Sequence, residues 1–554
     1  MTVAWRFYRC HIATRQVLLS RPMSCWFSTR PSSTSSSSGQ ASSDSPTLGS
    51  VLVISNVLPQ PSASAAGVRT AQILMNLSET SSVWSSIHFA TTASLNNTSA
   101  KSRDTNGNPD PSEFITQCRS RHGIQIHENI QANNESFLKD WVSRTLPSDL
   151  AMVIFDRYYV EEMFSFHFHR YRRNAVLVLD LQDSHALRQG RQRRVEALNR
   201  SGDKTWKGSD HDDGGDPLDA AKRVAFDECN LLHSDTNNDT DEHDPMLLRE
   251  LVSIHRCDLT LVCSPCELKL LRPHFQHCPW KLQLASFWVN PAEVQRTTAP
   301  AEQRNDFCFV GGFWHDPNRD AVTVLAQQIW PAIQDQWQLT NSNSESSQPL
   351  PPQLHIYGAF AERVLRFHDP NSNVFVQGHT SDLAGTLEQH RVMLAPLRYG
   401  AGIKGKIVDA WCHGLPVVTT SIGAEGMLMA ADSSLPPSSS SSQSLFAGRI
   451  ANSVNSFADA ALELYENKDN QWAKLSRHEG PNALKDLYSK TQHWPTVHQA
   501  MQDTVKTCSI RCNSDTIRSV LRQQSFCSTE FFSRWIEEKK SNNHTSYCYI
   551  TWVV

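Results

Sequence analysis

Short apolar runs alternate with longer amphipathic segments along most of this chain. In the first half, apolar runs that predict buried strands lie at 51–55, 87–90, 124–127, 152–155, 176–180 and 259–263. A second series lies at 307–310, 354–358, 374–378, 392–395 and 417–420. Helical periodicity separates the runs, as at 246–256. Strands that alternate with helices predict parallel, doubly wound sheets, so the two series predict two α/β domains.

Changes in composition predict the domain boundaries. A low-apolar, highly charged insertion at about 200–245 is predicted to be disordered. The predicted units are a leader and linker at 1–48, an N-terminal domain at 49–286, a linker at 287–305, a C-terminal domain at 306–504 and a tail at 505–554. No pattern in the tail indicates its structure.

The first 43 residues contain no Asp or Glu, and they carry five arginines and a serine-rich tract. They lack the continuous apolar core of a secretory signal. Basic, serine-rich and acid-free composition is typical of an organellar transit peptide. We therefore expect organellar targeting, mitochondrial rather than plastid, with a cytoplasmic location as the alternative.

Net charge and hydropathy narrow the classes of partner. The formal net charge of −4 over 554 residues gives no electrostatic case for nucleic-acid binding. No apolar run approaches the ~20 residues that a membrane span needs, although peripheral membrane contact stays open. The 14 cysteines are scattered, which favours reduced thiols. A single Cys-x-x-Cys, Cys263–Cys266, is weak evidence for zinc, and we expect no metal.

Residues 392–426 combine an apolar strand, a glycine-rich loop, a helix and a second strand. Gly400 and Gly402 allow positive φ and a close approach of the backbone to a ligand. The helix is predicted to begin at about Lys404 and to end at Gly414, which is followed closely by a proline. Loops of this kind, at the start of a helix, bind anionic ligands.

Two lysines lie in the first turn of this helix, where the helix dipole is positive. Lys404 and Lys406 oppose the dipole by about 0.3–1 kcal/mol each. A bound anion would remove the conflict. Two solvated lysines on an exposed turn are the alternative, and the local pattern leaves both open.

The same stretch resembles the C-terminal domain of the family 4-type (group 1) glycosyltransferases. From Ala395 to Gly426 the chain follows the pattern of one branch, with GAGIKGK and GLPVVTT as its central parts. The segment FVGGFWHDPNRDAV, Phe309–Val322, resembles the opening strand and helix of that branch. The resemblance implies a GT-B architecture, in which two Rossmann-like domains face a cleft and the last helices cross back onto the N-terminal domain.

The resemblance also implies donor-binding residues. Gly400, Gly402, Lys404 and Lys406 would form the donor-phosphate loop. Asp409 matches the position of the acid that holds the nucleotide ribose, and it is one methylene shorter than the usual Glu.

Three further residues are candidates for the donor side. Glu425 could contact the sugar, or it could cap a helix. Gly67 lies in the small-residue loop after the first strand, where the backbone can approach a substrate. Arg69, in the next helix turn, could face the diphosphate across the cleft.

The chain departs from the family pattern at two places. Ala401 stands where many members carry the first of two acids eight residues apart. Gly312 and Phe313 follow the first C-terminal strand, where an Arg and a Lys are common. Without that Arg and Lys, either Lys404 and Lys406 take the cationic role or the donor site is weakened.

On the N-terminal side, DLQDSHALR at 180–188 resembles a family segment that faces the cleft. Asp183 and His185 are candidates for proton handling, and Arg188 for acceptor binding. A structural histidine in a loop is the alternative for His185.

Together these features predict a glycosyltransferase that moves a sugar from a nucleotide-sugar donor to an acceptor of unknown kind. Retention of configuration and independence of metal are implied by the family, and the nucleotide-sugar is a substrate, so no cofactor is expected. A catalytically degenerate member that binds nucleotide-sugar or a partner, and a nucleotide-sugar epimerase on the same fold, are the alternatives.

Overall fold

The structure is a computed structural model that describes residues 47–94 (except 62 and 81), 112–200, 216–221 (except 220), 244–294, 298–341, 350–429 and 445–523. Residues 1–46 of the predicted leader and most of the insertion at 200–245 lie outside the described residues. Within the described part, no helix is both long enough and apolar enough to cross a membrane.

The N-terminal sheet has seven parallel strands among the described residues. Its strand order is β3-β2-β1-β4-β5-β6-β7. The strands are β1 Ser50–Ser55, β2 Ile87–Thr91, β3 Gln125–His127, β4 Leu150–Asp156, β5 Val176–Asp180, β6 Leu259–Val262 and β7 Leu282–Leu284. All residues of β1 and β5 are buried, as expected for Val- and Leu-rich strands covered by helices on both faces.

The C-terminal sheet is also parallel, with six strands in the described chain in the order β10-β9-β8-β11-β12-β13. Its strands are β8 Asn305–Val310, β9 Leu354–Tyr357, β10 Val374–Gly378, β11 His390–Ala395, β12 Val417–Thr419 and β13 Arg449–Ile450. The predicted strands of both domains are therefore present, and β7 and β13 are additions to the prediction.

Helices cover both sheets, and several begin at a side-chain cap. Ser64 accepts a hydrogen bond from Gly67 N, and Ser264 accepts one from Cys266 N. The N-terminal helices are α1 Ala65–Ser78, α2 Ser112–His122, α3 Glu135–Asp140, α4 Tyr158–Tyr171, α5 His185–Arg200, α6 Pro245–Arg256 and α7 Pro265–Leu271. Those that follow are α8 Pro291–Val294, α9 Asp316–Val324, α10 Trp330–Asn341, α11 Leu383–Gln389, α12 Gly405–Cys412, α13 Ser421–Ala424, α14 Val454–Tyr465, α15 Gln471–Lys474, α16 Gly480–Tyr488 and α17 Lys490–Ser514.

The pattern at 457–475 and 482–504 predicts single helices, and the structure divides both. The first is interrupted at 467–470, where Asn467, Asp469 and Asn470 have positive φ. The second is interrupted at Ser489, which leaves the helical path to pair with Val289 of the linker. Asparagine and aspartate tolerate positive φ, which allows the first break.

Helix α17 passes from the C-terminal domain onto the N-terminal one, as the GT-B resemblance implies. Trp494 packs edge-on against Trp288 with ring centroids 5.1 Å apart. The Trp84 indole donates to His498 Nε2 at 2.9 Å. The tail continues this contact, because Arg518 forms a buried ion pair with Asp258 beside β6. Part of the 505–554 segment therefore belongs to the N-terminal domain surface.

A piece of the predicted disordered insertion is packed against the C-terminal domain. Leu218 and Ala221 are fully buried, and Asp216 accepts a hydrogen bond from Val454 N at the start of α14. This short apolar patch within a polar segment corrects the prediction for residues 216–221.

Candidate functional site

Loops at the carboxyl ends of strands in the two sheets contact each other, and the surfaces that meet there are called the two walls of the crevice. In each sheet the strand order reverses beside its first strand, between β1 and β4 and between β8 and β11. Ligands of open α/β sheets bind at such switch points. In the C-terminal domain, the loops at this point follow β8 and β11, and the second of them is the glycine-rich loop of the sequence analysis.

Glycines let the two walls of the crevice approach closely. Gly402 has φ of 66°, and a Cβ there would lie 3.0 Å from the Asp183 Cβ of the opposite domain. A Cβ on Gly405 would lie 2.9 Å from the Ala65 Cβ. Larger residues at these positions would push the domains apart, so the glycine pattern sets the interdomain distance.

The two lysines of this loop have different environments. Lys404 Nζ turns back on its own loop and donates to Gly402 O at 2.7 Å and Ala401 O at 3.3 Å. Lys406 Nζ instead donates to Asn318 Oδ1 at 2.7 Å and lies 4.2 Å from the centre of the Phe309 ring. Lys406, in the first turn of α12, therefore lies against the end of β8 and the start of α9.

Lys406 lacks a compensating charge within the described part of the chain. Among the described residues no carboxylate pairs with it, and burial together with the charge of Lys404 lowers the pKa of its ammonium to about 7. A phosphate group placed here would supply the missing negative charge and raise that pKa again. This arrangement distinguishes Lys406 from Lys404, whose hydrogen bonds are already made.

Asp183, His185 and Arg188 come together on the N-terminal wall. Arg188 forms an ion pair with Asp183, and His185 Nε2 lies 3.6 Å from the same carboxylate. Burial alone would raise the pKa of Asp183, but the positive charge of Arg188 holds it well below its usual range. Asp183 is therefore an ionised hydrogen-bond acceptor at neutral pH.

His185 is a weak base in this position. Its ring packs edge-on against Tyr158, and burial lowers its pKa to about 3 despite the nearby Asp183. A general base works best with a pKa near the operating pH. The position favours neutral His185 as a part of the wall.

Two buried carboxyl groups that the sequence analysis did not select hold the loop of Asp183. Glu250 accepts from Ser184 Oγ at 2.8 Å and from His185 N at 2.5 Å. Glu267 accepts from Ser184 N at 2.8 Å and from Gly402 N at 2.9 Å. Burial raises their pKa values to about 8 and about 7. The sole sequence signal was the Ser264-x-x-Glu267 spacing, which is typical of a helix cap.

Glu425 faces an arginine of the opposite domain. It follows α13, and its carboxylate pairs with Arg191 of α5 at 2.7 and 2.5 Å. Arg191 also donates to Gly400 O at 2.7 Å. Glu425 is thus engaged at the domain interface and does not cap the start of a helix. Arg191 lies in a basic helical run, where no pattern marks it.

Arg69 and Gly67 occupy internal positions. The Arg69 guanidinium is buried, with Nε and Nη2 bonded to Asp180 and Nη1 bonded to Ser286 O. This corrects the expectation that Arg69 faces a diphosphate, because its donors are taken inside the N-terminal domain. Gly67 lies in the first turn of α1, not in the loop after β1 as predicted. A Cβ there would lie 2.5 Å from Gln60 O, so glycine lets that loop pack against the helix.

The structure also shows the surroundings of Asp409, Asp316 and Cys263. Asp409 lies within α12 and is partly exposed. Asp316 is the first residue of α9 and pairs with Arg319. Cys263 is buried, and burial raises the pKa of its thiol to about 11. In the described chain no cluster of three His, Cys, Asp or Glu side chains could hold a metal ion.

Comparison with known proteins identifies the class of the second domain. Residues 304–467 match the family described as Glycosyl transferases group 1. This part of the chain, with β8 to β13, is therefore a group 1 glycosyltransferase domain, as the motif resemblance indicated. No curated protein matches the sequence at a significant level.

Solved structures show the same fold for most of the chain. Sucrose-phosphate synthase from Thermosynechococcus elongatus has a TM-score of 0.50 at 13% identity, over 82% of this chain and 98% of that one. HepE from Anabaena, in complex with UDP and glucose, has a TM-score of 0.44 at 10% identity over 83% and 99%. The match to the synthase, together with the two parallel sheets, shows that the protein has the GT-B architecture.

A TarM mutant from S. aureus, in complex with fondaparinux, alpha-GlcNAc-glycerol and UDP, has a TM-score of 0.42 at 13% identity. The match covers 66% of this chain and 58% of that one, so the chain spans less than two thirds of that relative.

Proposed function

We propose that this protein transfers a sugar from a nucleotide-sugar donor to an acceptor hydroxyl. One observation carries the proposal: in a group 1 glycosyltransferase domain, the Lys406 ammonium lies at the switch point without a carboxylate partner among the described residues. A donor diphosphate is the anion that this fold would bring to that position.

The chemistry requires little beyond positioning and charge. The bond from the anomeric carbon to the diphosphate oxygen breaks, and a bond from the same carbon to the acceptor oxygen forms. The acceptor proton passes to the departing diphosphate oxygen. Lys406 and the backbone N–H groups at the start of α12 would stabilise the negative charge that develops there. This assignment supports a metal-independent reaction with retention of configuration.

The N-terminal wall would hold the acceptor. Asp183 is ionised and fixed by Arg188, so it can accept a hydrogen bond from an acceptor hydroxyl. His185 is too weakly basic to remove that proton at neutral pH. The departing diphosphate, placed opposite Asp183 by Lys406, is then the proton acceptor.

A second candidate function is binding of the nucleotide-sugar without transfer. Glu425, the acid expected near the donor sugar, is engaged by Arg191, and Ala401 has no acid side chain. These two facts leave the donor sugar with fewer polar contacts than the family pattern supplies.

Titration calorimetry with UDP, GDP, ADP, CDP and dTDP tests the proposal. We expect one of them to bind, and Lys406→Ala to weaken it about 10- to 150-fold, the value of a charged hydrogen bond of about 1.5–3 kcal/mol. Lys485→Ala, on the exposed side of α16, is the control. A folded protein that binds none of the five would overturn both functions.

Release of nucleoside diphosphate from the matching nucleotide-sugar separates the two candidates. Release that increases with time supports transfer or slow hydrolysis by the same site. Tight binding with no release, in the presence of a glycoside panel, supports the binding function.

A further inference from the structure

One carboxylate oxygen joins the two walls of the crevice. Glu267 Oε1 accepts hydrogen bonds from Ser184 N at 2.8 Å and from Gly402 N at 2.9 Å. Ser184 follows Asp183 on the N-terminal wall, and Gly402 belongs to the glycine-rich loop of the C-terminal domain. Glu267 is 1% exposed, so water does not replace either contact in this arrangement.

The start of α7, which carries Glu267, packs against the C-terminal domain close to this hydrogen bond. Glu267 stands in the first turn of α7, whose cap is Ser264. A Cβ on Gly426 would lie 2.7 Å from Ser264 Oγ. The start of α7 therefore contacts two loops of the opposite domain, and Glu267 accepts a hydrogen bond from one of them.

Glu250 provides an internal comparison. It is equally buried and holds the same loop through Ser184 Oγ, His185 N and Ala186 N. All of these contacts stay within the N-terminal domain. Glu250 can therefore order the loop, whereas Glu267 also bonds the glycine-rich loop of the C-terminal domain.

We propose that Glu267 is a positioning residue that fixes the Asp183 loop against the glycine-rich loop. Its consequence for transfer rests on the proposed function. Without the carboxylate, two buried N–H groups would lose their acceptor, and the acceptor wall would be free to shift relative to Lys406. Displacements of about 1 Å can cost about 100-fold in rate.

Hydrogen exchange of the Ser184 and Gly402 amides tests the coupling without any substrate. In Glu267→Ala we expect both amides to exchange faster, about tenfold or more for a lost bond of about 1.4 kcal/mol. In Glu267→Gln the amide oxygen can accept both bonds, so protection should return. In Glu250→Gln the Gly402 amide should keep its protection. If Glu267→Ala does not fold, Glu267→Met fills the same volume without an acceptor.

Unchanged exchange of Gly402 in Glu267→Ala would overturn the proposal. So would equal loss at Gly402 in Glu267→Ala and Glu250→Gln, because the effect would then be general loosening.

Kinetics supply the second readout. Glu267→Ala should lower the kcat of sugar transfer about 10- to 100-fold with a smaller change in nucleoside diphosphate affinity, and Glu267→Gln should recover most of it. Unaltered kcat in Glu267→Ala would overturn the positioning role. If the wild-type protein transfers no sugar, the exchange result still decides whether Glu267 couples the two loops.

Discussion

Arg191 and Glu425 form a two-point ion pair across the domain interface, with Nη1–Oε2 and Nη2–Oε1 distances of 2.7 and 2.5 Å. Their side chains are 0% and 9% exposed. The pair lies beside Gly400, whose carbonyl oxygen accepts a further bond from Arg191. The glycine-rich loop is therefore held against the N-terminal domain by a hydrogen bond and a neighbouring ion pair as well as by the close packing at its glycines.

Arg191→Ala should destabilise the protein strongly, because it leaves the Glu425 carboxylate buried and unpaired. We expect a loss of about 3–5 kcal/mol in the free energy of unfolding. Urea denaturation followed by tryptophan fluorescence measures it. Arg144→Ala removes a surface pair with Asp140 and should cost under about 1 kcal/mol. Equal losses in the two variants would contradict the assigned burial of the pair.

Binding of a nucleoside diphosphate should weaken as the pH rises through 7. The lowered pKa of Lys406, about 7, means that the free protein carries this charge below that pH and loses it above. Affinity should then fall by about tenfold per pH unit until the pKa of the bound form is reached. Calorimetry from pH 6 to 9 measures it. Lys406→Arg, which stays charged, should make this affinity less dependent on pH. If the wild-type protein and Lys406→Arg show the same pH dependence, Lys406 is not the phosphate ligand.

Glu250 should make the folded state less stable at higher pH. Its folded pKa of about 8 lies above the ordinary value of 4.5, so its contribution is complete below pH 4.5 and is lost as the pH rises through 8. Across this window, Glu250→Gln should remove a slope of about 1.4 kcal/mol per pH unit. Urea midpoints at pH 5, 6, 7 and 8 test it. A variant whose midpoints follow the wild-type slope would show that Glu250 ionises normally.

Arg518→Ala should destabilise the N-terminal domain although Arg518 lies far along the chain. Its partner Asp258, 4% exposed, also accepts from Leu177 N at 2.9 Å and Arg522 Nη2 at 3.1 Å. Loss of one partner of a buried pair should cost about 3 kcal/mol. Ile517→Ala, next to it but 54% exposed, should stay within about 0.5 kcal/mol. Thermal unfolding midpoints of the two variants are the measurement. If the tail does not contact the N-terminal domain beside β6, the two midpoints will be equal.

The strands of both domains were predictable because buried parallel strands appear as continuous apolar runs. Strand β13, with only Arg449 and Ile450, has no such run and is defined by pairing with Val418 and Thr419. Strand β7 is short and partly exposed, and for the same reason its sequence is not distinctive.

The positions of Gly402 and Lys406 followed from a motif, because an apolar run, closely spaced glycines and a helical pattern predict a strand, a tight loop and a helix start in that order. The partners of Arg69 and Glu425 did not follow. Asp180 lies 111 residues from Arg69, and Arg191 lies 234 residues from Glu425. A charged side chain does not reveal which distant charge it meets until the sheets are assembled. The contact of Glu267 with Gly402 could not be predicted for the same reason, and the spacing of Glu267 from Ser264 indicates only a helix cap.

Helix α17 has a consequence for the order in which the protein is made. Trp494, Val497 and Met501 complete the apolar core between α1, β2 and the linker of the N-terminal domain. During synthesis, domains usually fold as they emerge, N-terminal first. Here the core of the N-terminal domain lacks three large side chains until the whole C-terminal domain has been translated. The N-terminal domain leaves the ribosome first, but its core is completed last.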